Sequence, residues 1–518
     1  MKFSRMVENS IKILYAMFLI WINVCVLFYA SSTKYAYKKK FLFNNVTILA
    51  IGFILLIAGI SFGVILLRKI AVNLDYCVLI GTIVLLGLQI YMCKNIYFET
   101  AWDARVMVTA ARQMGNGVYQ GEFDTYFSYY PNNLFLTMLL SLGSKAITCL
   151  GDVTRQQYLL PMIVVQCVIS CITGILIYKS IKVLINEKWA MAGWILYVVL
   201  LGLNPWLVIV YSDSMSLFFS IACFYLYLKS YSGWREVVKW AIMAGLAGIG
   251  YLMKPQTVII LIACIIISLL RVYRENKGRF LQISCIGVGL LFFVGVQFLG
   301  NQLTAYADVQ VNQEIKMPMT HWAMMGLNPK GHGAYNKEDV LYTQSFDSTE
   351  EMKKGNWKII NERIKEYGIS GMTEHLKKKT LINYADGTFA WRCEGNFFNT
   401  LFPDINSKVS GKLKDLFYYG KSPAGKVRET VVHGVWLQIL FWMVVAVAFV
   451  SEAREKDAVS VALVTVLGTV LFSLLFEARA RYLMCNASVY IVLAILGMRT
   501  VYGKVSRMKF FISHLTEV

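Results

Sequence analysis

Residues 133–150 read NLFLTMLLSLGSKAITCL, and the topology of the chain depends on whether this apolar run continues the series of apolar runs around it. Twelve other runs are of similar or greater length, and a membrane-spanning helix needs about 20 apolar residues. These runs cover approximately residues 10–30, 44–67, 76–93, 157–180, 188–206, 214–230, 238–253, 255–271, 280–299, 432–450, 458–476 and 482–500.

The composition of the chain is that of an integral membrane protein. Apolar residues make up 57% of the 518 residues and charged residues 16%, whereas soluble proteins are about 45–50% apolar and about 25% charged. The formal net charge is +20, which would suggest nucleic-acid binding in a soluble chain. Here the basic residues cluster in short loops between apolar runs, as the positive-inside rule requires. We therefore predict an all-α polytopic membrane protein that resides in the cell membrane and has no nucleic-acid partner.

The eleven cysteines indicate neither a disulfide framework nor a metal site. Most of them lie inside apolar runs, where cysteine packs as a small hydrophobic residue. No CxxC pair and no Cys/His spacing typical of zinc occurs. We predict that the protein needs no metal and no cofactor. The first apolar run is long for the core of a signal peptide, so we expect an uncleaved first helix.

The distribution of lysine and arginine decides how residues 133–150 are interpreted. If this run does not cross the membrane, most basic loops share one side with both chain termini, and the positive-inside rule makes that side cytoplasmic. We therefore predict twelve spans, with residues 133–150 forming a juxtamembrane or re-entrant helix. Four lysines between residues 34 and 40 are the exception, because they fall on the outer side.

The predicted topology divides the chain into four parts. The parts are residues 1–75 with two N-terminal spans, residues 76–299 with a membrane core and a long outer loop at 94–156, residues 300–431 with a small extracytoplasmic α-rich domain, and residues 432–518 with the last spans and a basic tail.

Two helices are predicted within the extracytoplasmic part. Ser348 is followed three residues later by Glu351, which predicts a capping box at the start of an amphipathic helix. A second helix is expected at about residues 370–384.

Charged and aromatic residues crowd residues 99–133, ETAWDARVMVTAARQMGNGVYQGEFDTYFSYYPNN, just before the ambiguous run. Carboxylates and arginines against a membrane helix are costly, and they are therefore candidates for function. Asp103 is a candidate general base, provided that its pKa suits that role. The alternative is an interfacial acid that pairs with Arg105 or Arg112.

Two polar residues interrupt apolar segments on the predicted outer side. Asp213 lies between two spans, and it either caps the next helix or is free for another role. Lys254 precedes Pro255 in an apolar hairpin, where a positive charge runs against the positive-inside rule. An ammonium group at this depth suits a phosphate. The alternative is a lysine that reaches the headgroups and binds nothing.

Arg479 and Arg481 also lie on the predicted outer side, at the start of the last span. Arginine matches phosphate and carboxylate geometry with two hydrogen bonds. The alternative is a local pair between Arg481 and Glu477, which are four residues apart. His321 lies in a glycine- and histidine-rich outer segment that suits a substrate loop better than a metal site.

Five short motifs together resemble the GT-C glycosyltransferases. They are Trp102-Asp103-Ala104, Tyr129-Tyr130-Pro131-Asn132-Asn133, Tyr211-Ser212-Asp213, Tyr251-Leu252-Met253-Lys254-Pro255 and Glu477 with Arg481-Tyr482-Leu483. The resemblance is to the branch similar to protein O-mannosyltransferases and the lipid A aminoarabinose transferase, particularly its Gram-positive members. It extends from about residue 76 to residue 500, and each motif by itself is short.

The resemblance implies a polyprenyl-phosphate sugar donor and an extracytoplasmic acceptor, such as a cell-wall glycopolymer, a lipid or a protein, which meet at the outer face. Asp103 and Asp213 would be the catalytic carboxylates. Arg105, Lys254, Arg479 and Arg481 would bind the donor phosphate, and the predicted substrate-binding residues are Tyr129, Tyr130, Asn132, Asn133, His321 and Tyr482. Members of this family often carry a lysine before a proline pair where this chain has Tyr130-Pro131-Asn132, and Lys254 is the proposed substitute.

The predicted activity is therefore inverting transfer of a sugar from a lipid phosphate at the outer face of the membrane. A flippase for lipid-linked saccharides is the alternative, but it would carry charges and broken helices at the middle of the bilayer in paired repeats. Few charges lie inside the spans, and no internal repeat is visible. A polysaccharide polymerase or ligase would share the outer-face chemistry but would need a longer saccharide donor.

Overall fold

Long apolar helices form the body of the protein. The computed structural model describes residues 2–29, 41–69, 73–98, 100–149, 151, 155–274, 278–305, 307–394, 408–418, 422–448 and 456–516. Within these ranges the secondary structure is helical and no strand occurs. Glu99 and the four lysines between residues 34 and 40 lie outside the described residues.

Each of the twelve predicted spans contains helix. The helices, numbered in chain order, are α1 (Lys2–Phe28), α2 (Asn45–Lys69), α3 (Leu74–Ile96), α4 (Trp102–Gly115), α5 (Asp124–Tyr129), α6 (Leu134–Thr148), α7 (Arg155–Leu184), α8 (Glu187–Tyr197), α9 (Ser212–Met215), α10 (Leu217–Leu228), α11 (Trp234–Met253), α12 (Ile259–Arg274), α13 (Arg279–Ala305), α14 (Met319–Gly326), α15 (Lys337–Gln344), α16 (Thr349–Tyr384), α17 (Trp391–Glu394), α18 (Lys408–Phe417), α19 (Pro423–Ala448), α20 (Lys456–Leu475) and α21 (Ala487–Thr516).

Nine helical segments of the described chain are long and apolar enough to cross a membrane. They are Phe3–Phe28, Leu74–Ile96, Tyr158–Leu184, Trp234–Met253, Pro255–Arg274, Arg279–Ala305, Pro423–Ala446, Lys456–Leu475 and Ala480–Gly503. Together with the helical content, they confirm the prediction of an all-α polytopic membrane protein.

Two of the other three predicted spans differ from simple membrane-crossing helices. Helix α2, at the third, has 25 residues, whereas Ser212–Leu228 is a shorter apolar helix. The predicted span at 188–206 is broken, because α8 gives way to a π-helical turn at Val198–Gly202 and a 3-10 turn at Pro205–Val208. Asn204 stabilises that last turn, since its side chain accepts a hydrogen bond from the Trp206 amide at 3.0 Å. Hydropathy alone does not distinguish these helix types.

The ambiguous run at 133–150 forms α6, which is too short to cross a bilayer. Its 15 residues span about 22 Å at 1.5 Å per residue, whereas the hydrocarbon core is about 30 Å thick. The helix packs along α4, which follows α3. This arrangement agrees with the prediction that residues 133–150 do not form a span.

The last helix is the centre of the bundle. In the apolar stretch of Ala480–Gly503, 89% of the residues are buried, compared with 22% in Arg279–Ala305. The last span is therefore enclosed by other helices, and α13 lies at the periphery. Helix α21 packs against α19, α8, α20, α7 and α10. The N-terminal helices α1 and α2 pack against the C-terminal helices α19 and α20.

Ion pairs join the helix ends that the charge distribution assigns to one side. Arg274 at the end of α12 lies 3.1 Å from Glu8 of α1 and 3.0 Å from Asp457 of α20. Lys182 near the end of α7 lies 2.6 Å from Asp75 at the start of α3. These helix ends therefore meet at one end of the bundle.

Helices α14 to α16 form a layer at the opposite end of the bundle. Ser348 caps α16 by accepting a hydrogen bond from the Glu351 amide at 3.3 Å, as the sequence predicts. Gly368 has φ 54° and ψ −165° and divides α16 into two helical parts, and the second of these corresponds to the predicted helix at 370–384. Since a positive φ is accessible to glycine at little cost, the bend occurs at this residue.

The close approach of α19 and α21 predicts that Gly497 cannot be enlarged without cost. A Cβ at this position would overlap the carbonyl oxygen of Trp442 in α19. We expect Gly497→Ala to destabilise the protein by about 1–3 kcal/mol through overpacking, measured as a lower Tm in detergent.

The matched control is Gly287→Ala in α13, where an added Cβ would have no atom within 4 Å. Its Tm should stay the same or rise slightly, because alanine favours helix over glycine. Equal Tm values for the two variants would show that the packing of α19 on α21 does not limit stability.

Candidate functional site

Asp213 lies at the centre of a buried ionic cluster. The Nζ of Lys254 donates a hydrogen bond to its Oδ1, and the Nε of Arg481 lies 3.3 Å from its Oδ2. The three residues are 1%, 5% and 8% exposed, respectively. Two cations therefore share one carboxylate away from water, and we call Asp213, Lys254 and Arg481 the ionic cluster.

The local sequence explains why Asp213 is available for these cations. Helix α9 begins after Tyr211, and no side chain caps it. Ser214 donates instead to the carbonyl of Trp206 at 3.1 Å, and Ser216 donates to the carbonyl of Asp213 at 3.1 Å. Asp213 is thus not a helix cap, which resolves the alternative that the sequence left open.

Lys254 is held at the end of α11 by the proline that follows it. A residue before proline is disfavoured in the helical region, and Lys254 is extended, with φ −155° and ψ 109°. Burial lowers the pKa of the Lys254 ammonium, and the charge of Glu477 opposes that shift. The side chain is buried and paired, so Lys254 is not a lysine that reaches toward the membrane surface.

Four aromatic rings surround the guanidinium of Arg481. Its Cζ lies 5.3 Å from the centre of Trp102 and 5.7 Å from the centres of Trp206, Tyr211 and Tyr482. Aromatic faces attract a cation, more strongly where water is excluded. Trp102 has a φ of 57°, a left-handed conformation that is strained for a bulky residue. Such strain persists where the surrounding structure enforces it, often at functional sites.

Asp103 lies beside the ionic cluster in the first turn of α4, and it is only partly buried. The hydroxyl of Tyr211 donates to its Oδ2 at 3.2 Å. The ring of Tyr126 lies close enough to this carboxylate for the two groups to interact electrostatically. Burial and the charge of Asp103 raise the pKa of Tyr126, so the phenol remains a proton donor. The Tyr211 hydroxyl therefore orients an acid that solvent can still reach.

The Tyr130–Asn133 motif lies next to Tyr126. The side-chain amide of Asn133 donates to the Tyr126 hydroxyl at 2.6 Å, and Asn132 donates to the side chain of Asn133 at 3.1 Å. Tyr130 is close enough to Asp103 and Glu477 for these charges to raise its pKa, although burial is the larger cause. The motif thus forms a hydrogen-bonded chain that ends at Tyr126, near Asp103.

Glu477 adds a second buried carboxylate to the same end of the bundle. The hydroxyl of Tyr482 donates to its Oε2 at 3.1 Å, and the Nε of Arg479 lies 3.6 Å from its Oε1. Burial raises the pKa of Glu477, and the nearby arginines oppose that effect.

Helix α16 approaches Glu477 through Lys379. This lysine is fully buried and donates to the carbonyl of Gly326 at 2.8 Å. Burial lowers the pKa of Lys379 to about 7, while the charge of Glu477 opposes the shift. The amide of Ala478 donates to the carbonyl of Gly333 at 2.7 Å. The layer formed by α14 to α16 is therefore hydrogen-bonded directly to the 477–482 segment.

Three predicted site residues, Arg105, Tyr129 and His321, make described contacts outside the ionic cluster. Arg105 and Arg112 line a small pocket beside α4. The Tyr129 carbonyl accepts a hydrogen bond from the Met317 amide at 3.1 Å. The ring of His321 is buried, its Nδ1 lies 2.8 Å from the Thr343 hydroxyl, and burial lowers its pKa to about 4. His321 is therefore neutral at pH 7, and no described contact joins it to the ionic cluster.

Sequence reasoning missed Tyr126, Trp206 and Tyr211 as members of the site. Tyr211 directly precedes Ser212 and Asp213, so its place in the sequence could have identified it. Trp206 follows Asn204-Pro205, which is a turn signal, but nothing local indicates that its ring faces an arginine. In the described part of the chain, no group of three or more His, Cys, Asp or Glu residues is arranged to hold a metal ion.

Two solved structures of the oligosaccharyltransferase of Archaeoglobus fulgidus are distantly similar in shape to this chain. The enzyme AglB, in complex with an inhibitory peptide and a dolichol-phosphate, aligns at 10% identity with a TM-score of 0.38. The enzyme in complex with Zn and sulfate aligns at 11% identity with a TM-score of 0.42. The alignments cover 84% and 83% of this chain and 52% and 51% of those chains, so this chain spans about half their length. Similarity at this level carries no inference about function.

The comparison of sequences gives the family of the chain. No curated protein matches it. A family model described as "conserved hypothetical integral membrane protein" matches residues 3–502, which is nearly the whole sequence. The chain therefore belongs to this family of integral membrane proteins.

Proposed function

We propose that the protein is a membrane glycosyltransferase that moves a sugar from a polyprenyl-phosphate donor to a hydroxyl group of an extracytoplasmic acceptor. The observation that carries the proposal is the ionic cluster beside Asp103. Buried cations at the end of a membrane bundle suit a lipid phosphate, and an accessible carboxylate next to them suits an acceptor hydroxyl. The resemblance of five motifs to GT-C glycosyltransferases agrees with this combination.

The cations of the site suit an anionic ligand. Lys254, Arg479 and Arg481 contribute three positive charges, and Asp103, Asp213 and Glu477 contribute at most three negative ones. Burial raises the pKa of Glu477, which disfavours its charged form. Charge interactions strengthen where water is excluded. A phosphate that enters beside Lys254 and Arg481 would therefore be bound, and the negative charge that develops on it as the sugar bond breaks would be stabilised.

The two aspartates are suited to different tasks. Asp213 is 1% exposed and paired with two cations, so we assign it to positioning Lys254 and Arg481. Asp103 is partly exposed and is held by the hydroxyl of Tyr211. It is the carboxylate that an acceptor can reach, and we assign it as the general base.

The proposed reaction is a single displacement with inversion at the anomeric carbon. The acceptor oxygen attacks that carbon while its proton passes to the carboxylate of Asp103. The bond between the anomeric carbon and the phosphate oxygen breaks, and the electron pair remains on the lipid phosphate, next to the cations. Attack from the face opposite the leaving group gives inversion, as in inverting glycosidases. The lipid phosphate leaves without needing a strong acid.

The first prediction for this reaction concerns Asp103. Asp103→Asn keeps the shape of the side chain and removes the base, so the rate of sugar transfer should fall by about 10²–10⁴-fold. The measurement uses purified protein in detergent with a panel of polyprenyl-phosphate sugars and follows release or transfer of the sugar.

Asp124→Asn is the matched control, because Asp124 lies in the same loop and accepts a hydrogen bond from Tyr119 at 2.8 Å. Its rate should stay near that of the wild type. Full activity of the Asp103→Asn variant would refute the assigned base. Movement of the lipid across vesicles without cleavage of the sugar would instead identify a flippase.

The second prediction separates stability from donor binding in the ionic cluster. Lys254→Met leaves Asp213 with fewer compensating charges, and breaking a buried ion pair costs about 3–5 kcal/mol. The double variant Lys254→Met/Asp213→Asn should recover part of the lost Tm, because the buried carboxylate is gone. Both variants should have a higher KM for the donor, since the phosphate loses a cation.

Lys330→Met is the control for this experiment. Lys330 and its partner Glu338 are both 69% exposed, and an exposed pair contributes about 0–1 kcal/mol. Its Tm and its KM should change little. A donor KM that is the same in the wild type and in the double variant would rule out Lys254 as a phosphate contact.

A further inference from the structure

A second cleft lies at the end of the bundle opposite the ionic cluster. Helices α3 and α7 and the C-terminal end of α10 enclose a cavity of about 830 Å³, which is within the range of about 300–1,000 Å³ for small-molecule sites. Asp75 lines the cleft at the start of α3, and the other end of this 23-residue helix leads to Asp103. Since α3 is about 35 Å long, the cleft is separate from the candidate active site.

Positive charge is in excess along the rim of this cleft. Lys179, Lys182 and Lys229 line it together with one carboxylate, that of Asp75. Asp75 lies 2.6 Å from Lys182, and Glu187 lies 3.9 Å from the same lysine. Both carboxylates are therefore directed at a single lysine.

The other two lysines keep their charge available. Among the described residues, neither Lys179 nor Lys229 has a carboxylate within ion-pair distance. The Nζ of Lys229 lies 4.9 Å from the centre of the Tyr225 ring, an attraction that leaves the ammonium able to bind an anion. The hydroxyl of Tyr178 donates to Asp75 at 2.7 Å, which holds the carboxylate on the Lys182 side of the cleft.

Apolar side chains line the cleft one helical turn from the charged rim. Ile175 lies four residues before Lys179 on α7, and Leu79 lies four residues after Asp75 on α3. Residues four apart lie above one another on one face of a helix. Leu79 is 49% exposed, so the apolar wall is open toward the position of the lipid chains. The cleft thus offers charge at its rim and a hydrocarbon surface further into the bundle.

We propose that this cleft binds an anionic glycerophospholipid, with the phosphate at Lys179, Lys182 and Lys229 and an acyl chain along Leu79 and Ile175. The order of charge and apolar surface matches the order of headgroup and chain in such a lipid. Basic pockets between transmembrane helices bind anionic headgroups in this way. A soluble phosphate would use the lysines and gain nothing from the apolar wall.

The test compares two lipids with identical acyl chains. Full-length protein in a neutral detergent is titrated with phosphatidylglycerol or with phosphatidylcholine, and the fraction that carries bound lipid is measured by native mass spectrometry. We expect phosphatidylglycerol to bind more tightly. Lys179→Gln/Lys229→Gln should weaken its binding about thirtyfold, as estimated for two lysines at a membrane surface.

Two further variants identify the source of the affinity. Leu79→Trp fills the apolar part of the cleft without changing any charge, and it should also weaken lipid binding. Lys188→Gln/Arg235→Gln removes the same charge from exposed residues outside the cleft, and binding should remain near the wild-type value.

Three results would overturn the proposal. The first is equal binding of the two lipids by the wild type, and the second is an equal loss of binding in the control double variant. The third is displacement of the lipid by glycerol 3-phosphate at concentrations similar to that of the lipid, because the cleft would then be a site for a soluble anion.

Discussion

The carboxylate of Asp213 pairs with two buried cations, and the arrangement of one end of the bundle depends on these ion pairs. Lys254 comes from the turn between α11 and α12, and Arg481 comes from the segment that leads into α21. Burying either cation alone would cost several kcal/mol. The shared carboxylate, together with the four rings around Arg481, makes their burial possible. It also draws three separate turns together, beside which Asp103 and its partner Tyr211 are placed.

Most of the membrane fold could be predicted from hydropathy, because long apolar runs have few alternatives to helix in a bilayer. The same argument cannot detect a change in the type of helix. Residues 188–206 are predominantly apolar, yet their hydrogen bonding changes from α to π to 3-10. Pro205 was the available signal for that change. The position of α6 could be predicted only through charge, since its hydropathy resembles that of a span.

The site was partly predictable for a different reason. Lys254 and Arg481 contradict the charge bias of membrane proteins, and this conflict identified them. Their pairing with Asp213 depends on how distant turns meet, which no local rule contains. The i, i+4 pair of Glu477 and Arg481, which the sequence offered as an alternative, illustrates the limit. Residues Ala480–Asn486 form a 3-10 helix, which has three residues per turn, so the spacing rule of an α-helix does not describe this segment.

The packing of the first helix against late parts of the chain has a consequence for biosynthesis. Trp21 of α1 donates a hydrogen bond to the hydroxyl of Thr380, 359 residues further along the chain. At about 5–20 residues per second, a ribosome needs roughly 20 to 70 s to make that interval. Helix α1 must therefore remain in the bilayer without its final neighbours for most of translation, and lipids or an insertion factor occupy its packing surface until α16, α19 and α20 are made.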